Sequence, residues 1–197
     1  MSKFRYFIVH KPYGVLSQFT REHPDHRVLG DLYNFPKDVY AVGRLDKDSE
    51  GLLLLTNDGK INQQLLDPKR RHQRTYWAQL EGVPDKAALQ QLRQGVDIRI
   101  NKKTYHTLPA KVQVLQPPPT LPERDPPIRY RKNVPETWIE LQLAEGKNRQ
   151  VRRMCAAVGY PVLRLVRVAI EALNLHPLQS GEVQEIEGKR LLPLLRI

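Results

Sequence analysis

The chain has 197 residues, of which 40% are hydrophobic and 27% are charged, as in an ordinary soluble globular protein. This length suits one domain, or two small subdomains, with a core that needs no disulfide bonds. Lys and Arg exceed Asp and Glu by 32 to 21, which gives a net charge of +11. This excess favours a polyanionic partner, nucleic acid or an anionic membrane surface, with an otherwise ordinary basic enzyme as the alternative.

The cysteine count and the N-terminus narrow the class of protein further. Cys155 is the only cysteine, which excludes an internal disulfide and a thiolate cluster for zinc or iron-sulfur chemistry. The N-terminal MSKFRYFIVHKPYG has only a three-residue apolar run before His10 and Lys11, which is far too short for a signal peptide, and no segment approaches the length needed to span a bilayer. We therefore expect a cytoplasmic protein whose anionic partner is nucleic acid rather than membrane.

The first half of the chain predicts two strands and a helix. Residues 4–9 are typical of a strand that ends at the turn signal KPYG. Residues 17–40 are polar and loop-rich, with a possible short helix at LGDLYNF. Residues 52–55 are all Leu and lie between Gly51 and the turn residues NDG, which predicts a strand buried on both faces. A helix is predicted at INQQLLD, where Pro68 would stop it.

The second half alternates between strand and helix patterns. RTYWAQLEG predicts a strand, DKAALQQLRQG a helix, and DIRI and AKVQVLQ two further strands. ETWIELQLAEG and VLRLVRVAIEAL also have strand patterns. Residues 117–135, PPPTLPERDPPIRYRKNVP, cannot form an ordered ladder and lie between two strand patterns. We interpret them as a long hairpin loop that either touches substrate or is a disordered insert without a role.

Residues 148–158 give the clearest helical pattern. The apolar residues with core spacing are Val151, Met154, Cys155 and Val158. The basic residues predicted on the opposite face are Arg149, Arg152 and Arg153. One side of this helix is therefore expected to pack and the other to face anions.

Positive charge is concentrated in two segments. The first contains Lys69, Arg70, Arg71, His72 and Arg74, directly before Tyr76 and Trp77. The second contains Lys147, Arg149, Arg152, Arg153, Arg164 and Arg167, with no acidic residue between its ends. Basic groups beside aromatic rings are what a groove for phosphates and unstacked bases requires. Both segments predict an RNA-binding surface, although a run of charge is more often a solvated face.

Acidic residues surround the Leu run in VGRLDKDSEGLLLLTNDG. Asp46, Asp48 and Glu50 fall at the first, third and fifth positions of a calcium-loop pattern. That pattern needs a bidentate Glu at its last position, which Asn57 occupies here, and the buried strand would interrupt the loop. His23 and His26 have no further zinc ligand near them in sequence, and glycine-rich phosphate loops are absent. We therefore expect no metal and no cofactor.

The remaining candidate is one working carboxylate. A carboxylate that acts as a nucleophile or base out of water needs a cation close by to stay ionised. Arg44 and the basic face of residues 149–153 could supply one. The alternative is structural: Asp46 caps a turn and Glu50 pairs with a surface Arg.

Four segments resemble the ribosomal RNA pseudouridine synthases of the small-subunit synthase type. They are KPYGV, GRLDKDSEGLLLLTNDG, RTYWAQLEG and EGKNRQVRRMCAAVGYPVLRLVRVAI, in the family's order and across nearly the whole chain. The resemblance implies that Asp46 is the catalytic aspartate, Tyr76 lies against the target uracil, and Arg152 is the basic partner of Asp46. It also implies that Leu165 helps to shape the substrate pocket, to which we add Arg44.

The resemblance implies isomerisation of a uridine in ribosomal RNA, with 23S rRNA of the large subunit as the expected target. The expected fold is α+β: a mixed, mostly antiparallel sheet with flanking helices and a central catalytic cleft. Two subdomains should divide near Asp46. Many relatives carry a small helical RNA-binding domain before KPYGV, whereas here the catalytic part begins close to Met1. We expect a single catalytic domain over residues 1–197, acting as a monomer without a protein partner.

Two functions of other classes stay open. A non-catalytic RNA-binding module would explain the charge but not the presence of Asp46 and Tyr76 within it. A base-removing glycosidase could use the same aspartate and would release free uracil. An isomerase would leave the mass of the RNA unchanged.

Overall fold

A computed structural model describes residues 4–128 and 134–197 and divides the chain into two compact units. Unit 1 comprises residues 1–72 and 166–197, and unit 2 comprises residues 73–165. The division into two units was expected, but its position near Asp46 is wrong, because the boundaries follow His72 and Leu165. Asp46 lies well inside unit 1, where the surrounding loop is bonded to residues of the same unit.

Unit 1 is built around two long antiparallel strands. Strand β1 (Tyr6–Lys11) pairs with β5 (Glu50–Thr56) on one side and β13 (Val183–Glu185) on the other. Every residue of β5 is buried, as the unbroken Leu run predicts. Strand β4 (Tyr40–Ala41) is antiparallel to β5, whereas the second half of β11 (Val162–Ile170) is parallel to it.

Short elements complete unit 1. They are the parallel pair β2 (Val15–Leu16) and β3 (Arg27–Val28), and β12 (Leu173–Asn174), which is antiparallel to β11. Helix α1 (Gly59–Leu66) begins where Asp58 accepts a 3.0 Å bond from the Lys60 amide, and ends before Pro68, as predicted. The predicted helix at LGDLYNF is only the 3-10 turn Leu29–Asp31. The C-terminal α4 spans Gly188–Leu194.

Unit 2 is built around three antiparallel strands, with two helices against one face. Strand β10 (Glu136–Leu143) pairs along its whole length with β6 (Arg74–Glu81) and, on its other edge, with β9 (Lys111–Val114). Helices α2 (Lys86–Gln94) and α3 (Gln150–Ala157) bury their apolar sides in the same core, which includes Leu80, Leu92, Ile139 and Met154. Strands β7 (Asp97–Ile100) and β8 (Lys103–His106) form a hairpin. The sequence predicted only the first of these two strands.

The proline-rich segment is a hairpin loop, because it connects the antiparallel strands β9 and β10. Its described part, up to residue 128, lies against unit 2: Arg164 donates a 2.9 Å bond to the Pro122 carbonyl. Together with Trp138 and Gln79, the loop lines an open cleft of about 400 Å³. Residues 129–133 lie outside the described chain.

The fold is therefore α+β with mixed, mostly antiparallel pairing and four α-helices in the described chain, as the resemblance implied. Among the described residues, every helix falls short of the length and hydropathy that crossing a membrane requires.

Candidate active site

The turn that carries Asp46 is fixed by bonds from two neighbouring segments; we call residues 44–49 the Asp46 turn. The Ser17 hydroxyl donates to the Leu45 carbonyl at 2.9 Å and accepts from the Leu45 amide at 3.0 Å. The Gly14 amide donates to the Lys47 carbonyl at 2.8 Å. The Ser49 amide closes the turn on the Asp46 carbonyl at 3.0 Å. Asp46 is half-buried on this turn, whose backbone is fixed by these bonds and which leads into β5.

Gly51 explains how β5 begins. Its φ of +109° lies in a region that L-residues rarely adopt, and a Cβ added there would be 2.3 Å from the Arg167 carbonyl oxygen. Gly51 is paired with Arg167 in the parallel ladder. Only glycine lets these two backbones approach so closely directly after the Asp46 turn.

Three buried charged side chains lie close to the turn; we call Lys11, Glu50 and Arg167 the buried charge cluster. They are 0%, 2% and 4% exposed. The Lys11 ammonium donates to the Pro12 carbonyl at 3.0 Å and to the Val15 carbonyl at 2.7 Å. The Arg167 Nε donates to the Leu52 carbonyl at 2.8 Å. The two Lys11 bonds close the KPYGV segment on itself, and the Arg167 bond joins β11 to β5.

The pKa of Lys11 is lowered to about 8, chiefly because burial disfavours the charged ammonium. The neighbouring carboxylates of Glu50 and Asp48, and more weakly Asp46, act in the opposite direction, while Arg167 adds to the lowering. Asp48 and Glu50 thus lie in the field of a buried Lys. Within the described ranges, no group of three or more His, Cys, Asp or Glu side chains is arranged to hold a metal ion.

Arg44, expected in the substrate pocket, is exposed on the Asp46 turn. Its Nη2 donates to the Gln18 side-chain oxygen at 3.3 Å. The segment that contains Ser17 and Gln18 therefore contacts the turn through two side chains, the Ser17 hydroxyl on the Leu45 backbone and the Gln18 side chain on Arg44.

Tyr76 and Leu165 share the hydrophobic core of unit 2. Tyr76 is half-buried at the start of β6, opposite Leu141 in the ladder, and packs against that core. Leu165 is 5% exposed within it. Trp77 faces the other side of the sheet, where its indole donates to Glu140 at 2.9 Å.

Arg152 projects from the first turn of α3 and is half-buried. Its Nη1 donates to the Val162 carbonyl at 3.0 Å, which fixes the guanidinium against the start of β11. On the same helix, burial raises the pKa of the Cys155 thiol to about 12, although the Arg152 charge opposes this rise. Cys155 is thus a packing residue and not a reactive thiol.

The other predicted RNA-binding residues differ in exposure. Exposed members are Lys69, Arg70, Arg71, Lys147 and Arg149, and half-buried members are Arg74 and Arg153. Arg149 precedes α3 with a φ of +52° instead of lying on its helical face, and Arg153 bonds to the Asn148 side chain. Arg164 and Arg167 are buried and bonded to backbone carbonyls. RNA binding by these last two stays a prediction, and their burial favours a structural role.

Two polar residues that contact the Asp46 turn or lie close to it were not identified from the sequence. Lys11 was interpreted only as part of a turn, and the signal that could have identified it is the KPYGV motif itself. Ser17 gives no sequence signal, because its two bonds to Leu45 span 28 residues of chain. The geometry shows two half-buried carboxylates, Asp46 and Asp48, on a turn with a fixed backbone close to buried charge, and the family resemblance is what selects Asp46.

Comparisons with known proteins show the family to which the chain belongs. Residues 5–157 match the family model described as RNA pseudouridylate synthase. The chain is 51% identical over 187 residues to ribosomal large subunit pseudouridine synthase E of Xanthomonas campestris, covering 94% of this chain and 97% of that protein. It is 37% identical to ribosomal large subunit pseudouridine synthase B of Bacillus subtilis, covering 96% and 72% of the two chains.

A solved structure gives the same answer for the fold. The crystal structure of a pseudouridylate synthase superposes with a TM-score of 0.78 at 26% identity, covering 98% of this chain and 75% of that one.

Proposed function

Because the chain belongs to the RNA pseudouridylate synthase family, we propose that it converts a specific uridine of 23S ribosomal RNA to pseudouridine, with Asp46 as the essential catalytic group. The relatives named ribosomal large subunit pseudouridine synthase E support the choice of RNA. The observation that carries the role of Asp46 is its position on a turn held by Ser17 and Gly14, directly before buried β5. A catalytic group must be preorganised, and the bonds to the Asp46 turn fix the backbone that carries this carboxylate.

The reaction needs no net redox change and no transferred group. The bond between uracil N1 and ribose C1′ breaks, the base turns, and a bond forms between C5 and C1′. The C5 proton is lost and N1 gains a proton, so atoms and electrons balance. Asp46 could attack the sugar, attack the base or take a sugar proton. The uridine must leave its stack first, which costs a few kcal/mol when it is paired.

The family resemblance suggests supporting roles for residues of unit 2. We propose that Tyr76 lies against the uracil and handles the C5 proton, that Arg152 is the basic partner of Asp46, and that Leu165 shapes the pocket. The half-buried Tyr76 and the fixed guanidinium of Arg152 are compatible with these roles. Arg44, exposed on the Asp46 turn, is a candidate contact to the substrate.

Phosphate binding is proposed for the exposed and half-buried basic residues of the two charged segments. These are Lys69, Arg70, Arg71, Arg74, Lys147, Arg149 and Arg153. A net charge of +11 attracts a polyanion over distances longer than any single contact. The proposal requires one copy of the chain, ribosomal RNA and no cofactor or metal. The buried thiol of Cys155 fits a reducing cytoplasm, where we place the reaction.

The test uses ribosomal RNA that carries tritium at uridine C5. The proposal predicts that the protein releases tritium to water while the RNA keeps its length and mass. Release of free uracil would instead identify a glycosidase. Tight binding without either product would identify an RNA-binding module. The modified nucleotide is then located by labelling pseudouridine with a carbodiimide, which forms an alkali-stable adduct on it, and by mapping the adduct as a stop of reverse transcription.

A further inference from the structure

An aromatic side chain is exposed beside the Asp46 turn. Phe19 is 39% exposed, whereas most large apolar side chains of unit 1 are buried. Single exposed aromatic residues are common and need no functional explanation by themselves. Phe19 differs because of its neighbours along the chain, Ser17 and Gln18, which both contact the turn.

The distance from Phe19 to the turn is bounded by chain geometry. Ser17 is bonded to both backbone groups of Leu45, the residue before Asp46. Consecutive Cα atoms are about 3.8 Å apart, so the Cα of Phe19 is at most about 7.6 Å from that of Ser17. At about 3.4 Å per nucleotide of a stacked strand, the separation of Ser17 and Phe19 corresponds to about two nucleotides, and the step from Ser17 across to Asp46 adds to it. A strand that delivers a uridine to Asp46 therefore has flanking bases within reach of Phe19.

The Phe19 ring is supported from behind. Its centroid is 5.6 Å from that of Phe35, with the planes at 72°, and Phe35 in turn packs edge-on against the buried Phe7 at 5.4 Å. The Gln18 carbonyl accepts a 3.0 Å bond from the Leu29 amide, which fixes the backbone before Phe19. A ring held on one side and open on the other is a stacking platform.

A cation lies on the same part of the surface. The exposed Arg44 guanidinium bonds to the Gln18 side chain, one residue from Phe19. An aromatic ring with a nearby cation is the combination that binds unpaired bases and their phosphates. The segment of residues 17–31 carries no net excess of positive charge, with Arg21 and Arg27 against Glu22, Asp25 and Asp31. Stacking, rather than charge alone, therefore has to supply recognition there.

We propose that Phe19 stacks on an unpaired nucleobase that flanks the target uridine, and so helps to select and hold the RNA in its opened form. The inference rests on the proposed function, because it takes Asp46 as the catalytic group. It makes Phe19 a specificity-determining contact and not a catalytic residue.

The test pairs a protein change with an RNA change. Short RNAs that contain the target are made with one abasic nucleotide at each flanking position in turn. Tritium release is then compared for the parent protein and Phe19→Ala. Stacking of one base on an aromatic ring corresponds to about 5-fold to 150-fold in kcat/KM. We expect a loss in this range for Phe19→Ala and, at one position only, a similar loss for the parent on abasic RNA.

At that position the two losses should not multiply, because a missing base leaves nothing for Phe19 to contact. Losses that multiply at every flanking position would overturn the proposal, as would full activity of Phe19→Ala. If the parent itself releases no tritium from intact RNA, the proposed function fails instead, so the two failures are distinguishable.

Three further variants separate stacking from folding. Phe19→Leu keeps an apolar contact with Phe35 and should retain the parent's Tm while losing activity as Phe19→Ala does. Phe19→Trp should keep activity. Tyr33→Ala is the matched control, because Tyr33 is 42% exposed and packs on the same Phe35 ring at 5.0 Å. Tyr33→Ala should still lose activity on RNA that is abasic at the one flanking position, as the parent does. If Tyr33→Ala becomes as insensitive to that abasic nucleotide as Phe19→Ala, only the packing of the aromatic rings around Phe35 matters, and the proposal is overturned.

Discussion

Lys11 is a buried residue whose pKa differs between the folded protein and the unfolded chain. Its pKa is lowered from 10.5 to about 8, because the ammonium is buried. The folded protein therefore loses this proton at a lower pH than the unfolded chain does. Between about pH 8 and pH 10.5 the unfolded chain binds more protons, so the contribution of Lys11 to the free energy of unfolding rises with pH.

Lys11→Met should remove this rise. The free energy of unfolding of the parent minus that of Lys11→Met should increase by about 1.4 kcal/mol per pH unit within that window. Urea unfolding followed by circular dichroism at pH 7.5, 8.5 and 9.5 measures it, and Lys111→Met, at an exposed strand position, is the control. A difference that stays constant with pH would mean that Lys11 titrates normally.

Tyr76 allows stacking and proton transfer to be separated. If its hydroxyl removes or relays the C5 proton, Tyr76→Phe should bind RNA normally and lose most turnover. Tyr76→Ala should lose both, because the ring is gone as well. The alternative is that the ring only fills the core against which it packs. That alternative predicts a fully active Tyr76→Phe and a lowered Tm for Tyr76→Ala.

Elements whose signals are local could be predicted from the sequence. Strand β5 is an unbroken Leu run, and helix α1 has Asp58 as its N-cap and a Pro after its end. The predicted helix at residues 148–158 was too long at its start, because Arg149 adopts a left-handed conformation there.

Features that depend on distant pairing could not be predicted. Strand β8 contains only four residues and is defined by its register with β7. The unit boundary was placed wrongly near Asp46, because the bonds from Ser17 to Leu45 are long-range. The candidate carboxylate could be found from the sequence, whereas the buried charge cluster required the pairing of β1, β5 and β11.

The junction of β5 and β11 gives a prediction at the level of elements. Gly51→Ala places a methyl group against the Arg167 backbone at a φ of +109°, so the free energy of unfolding should fall by about 3 kcal/mol or more. Gly146→Ala is the matched control, because a Cβ there has nothing within 4 Å. It should change stability by less than about 0.5 kcal/mol. Equal urea midpoints for the two variants would contradict the close approach of β5 and β11.

At the scale of the whole molecule, the net charge of +11 predicts strongly salt-dependent RNA binding. The logarithm of affinity should fall with the logarithm of salt by about 0.7 per phosphate contact on single-stranded RNA. Arg149→Gln and Arg153→Gln should each flatten that slope by somewhat less than one unit. Arg99→Gln, which changes an exposed Arg outside both basic segments, should leave the slope unchanged. Identical slopes for all three variants would assign Arg149 and Arg153 to a solvated face.

The central claim is that one carboxylate of this basic chain carries the chemistry, and Asp46→Asn tests it most directly. Tritium release from C5-labelled ribosomal RNA and RNA affinity are measured for the parent, Asp46→Asn and Asp48→Asn. A calcium loop would need both carboxylates, whereas the proposed mechanism needs only Asp46. We predict that Asp46→Asn abolishes tritium release and binds RNA within about twofold of the parent, since the basic surface supplies the affinity. Asp48→Asn should keep most turnover. Measurable turnover by Asp46→Asn would contradict the claim.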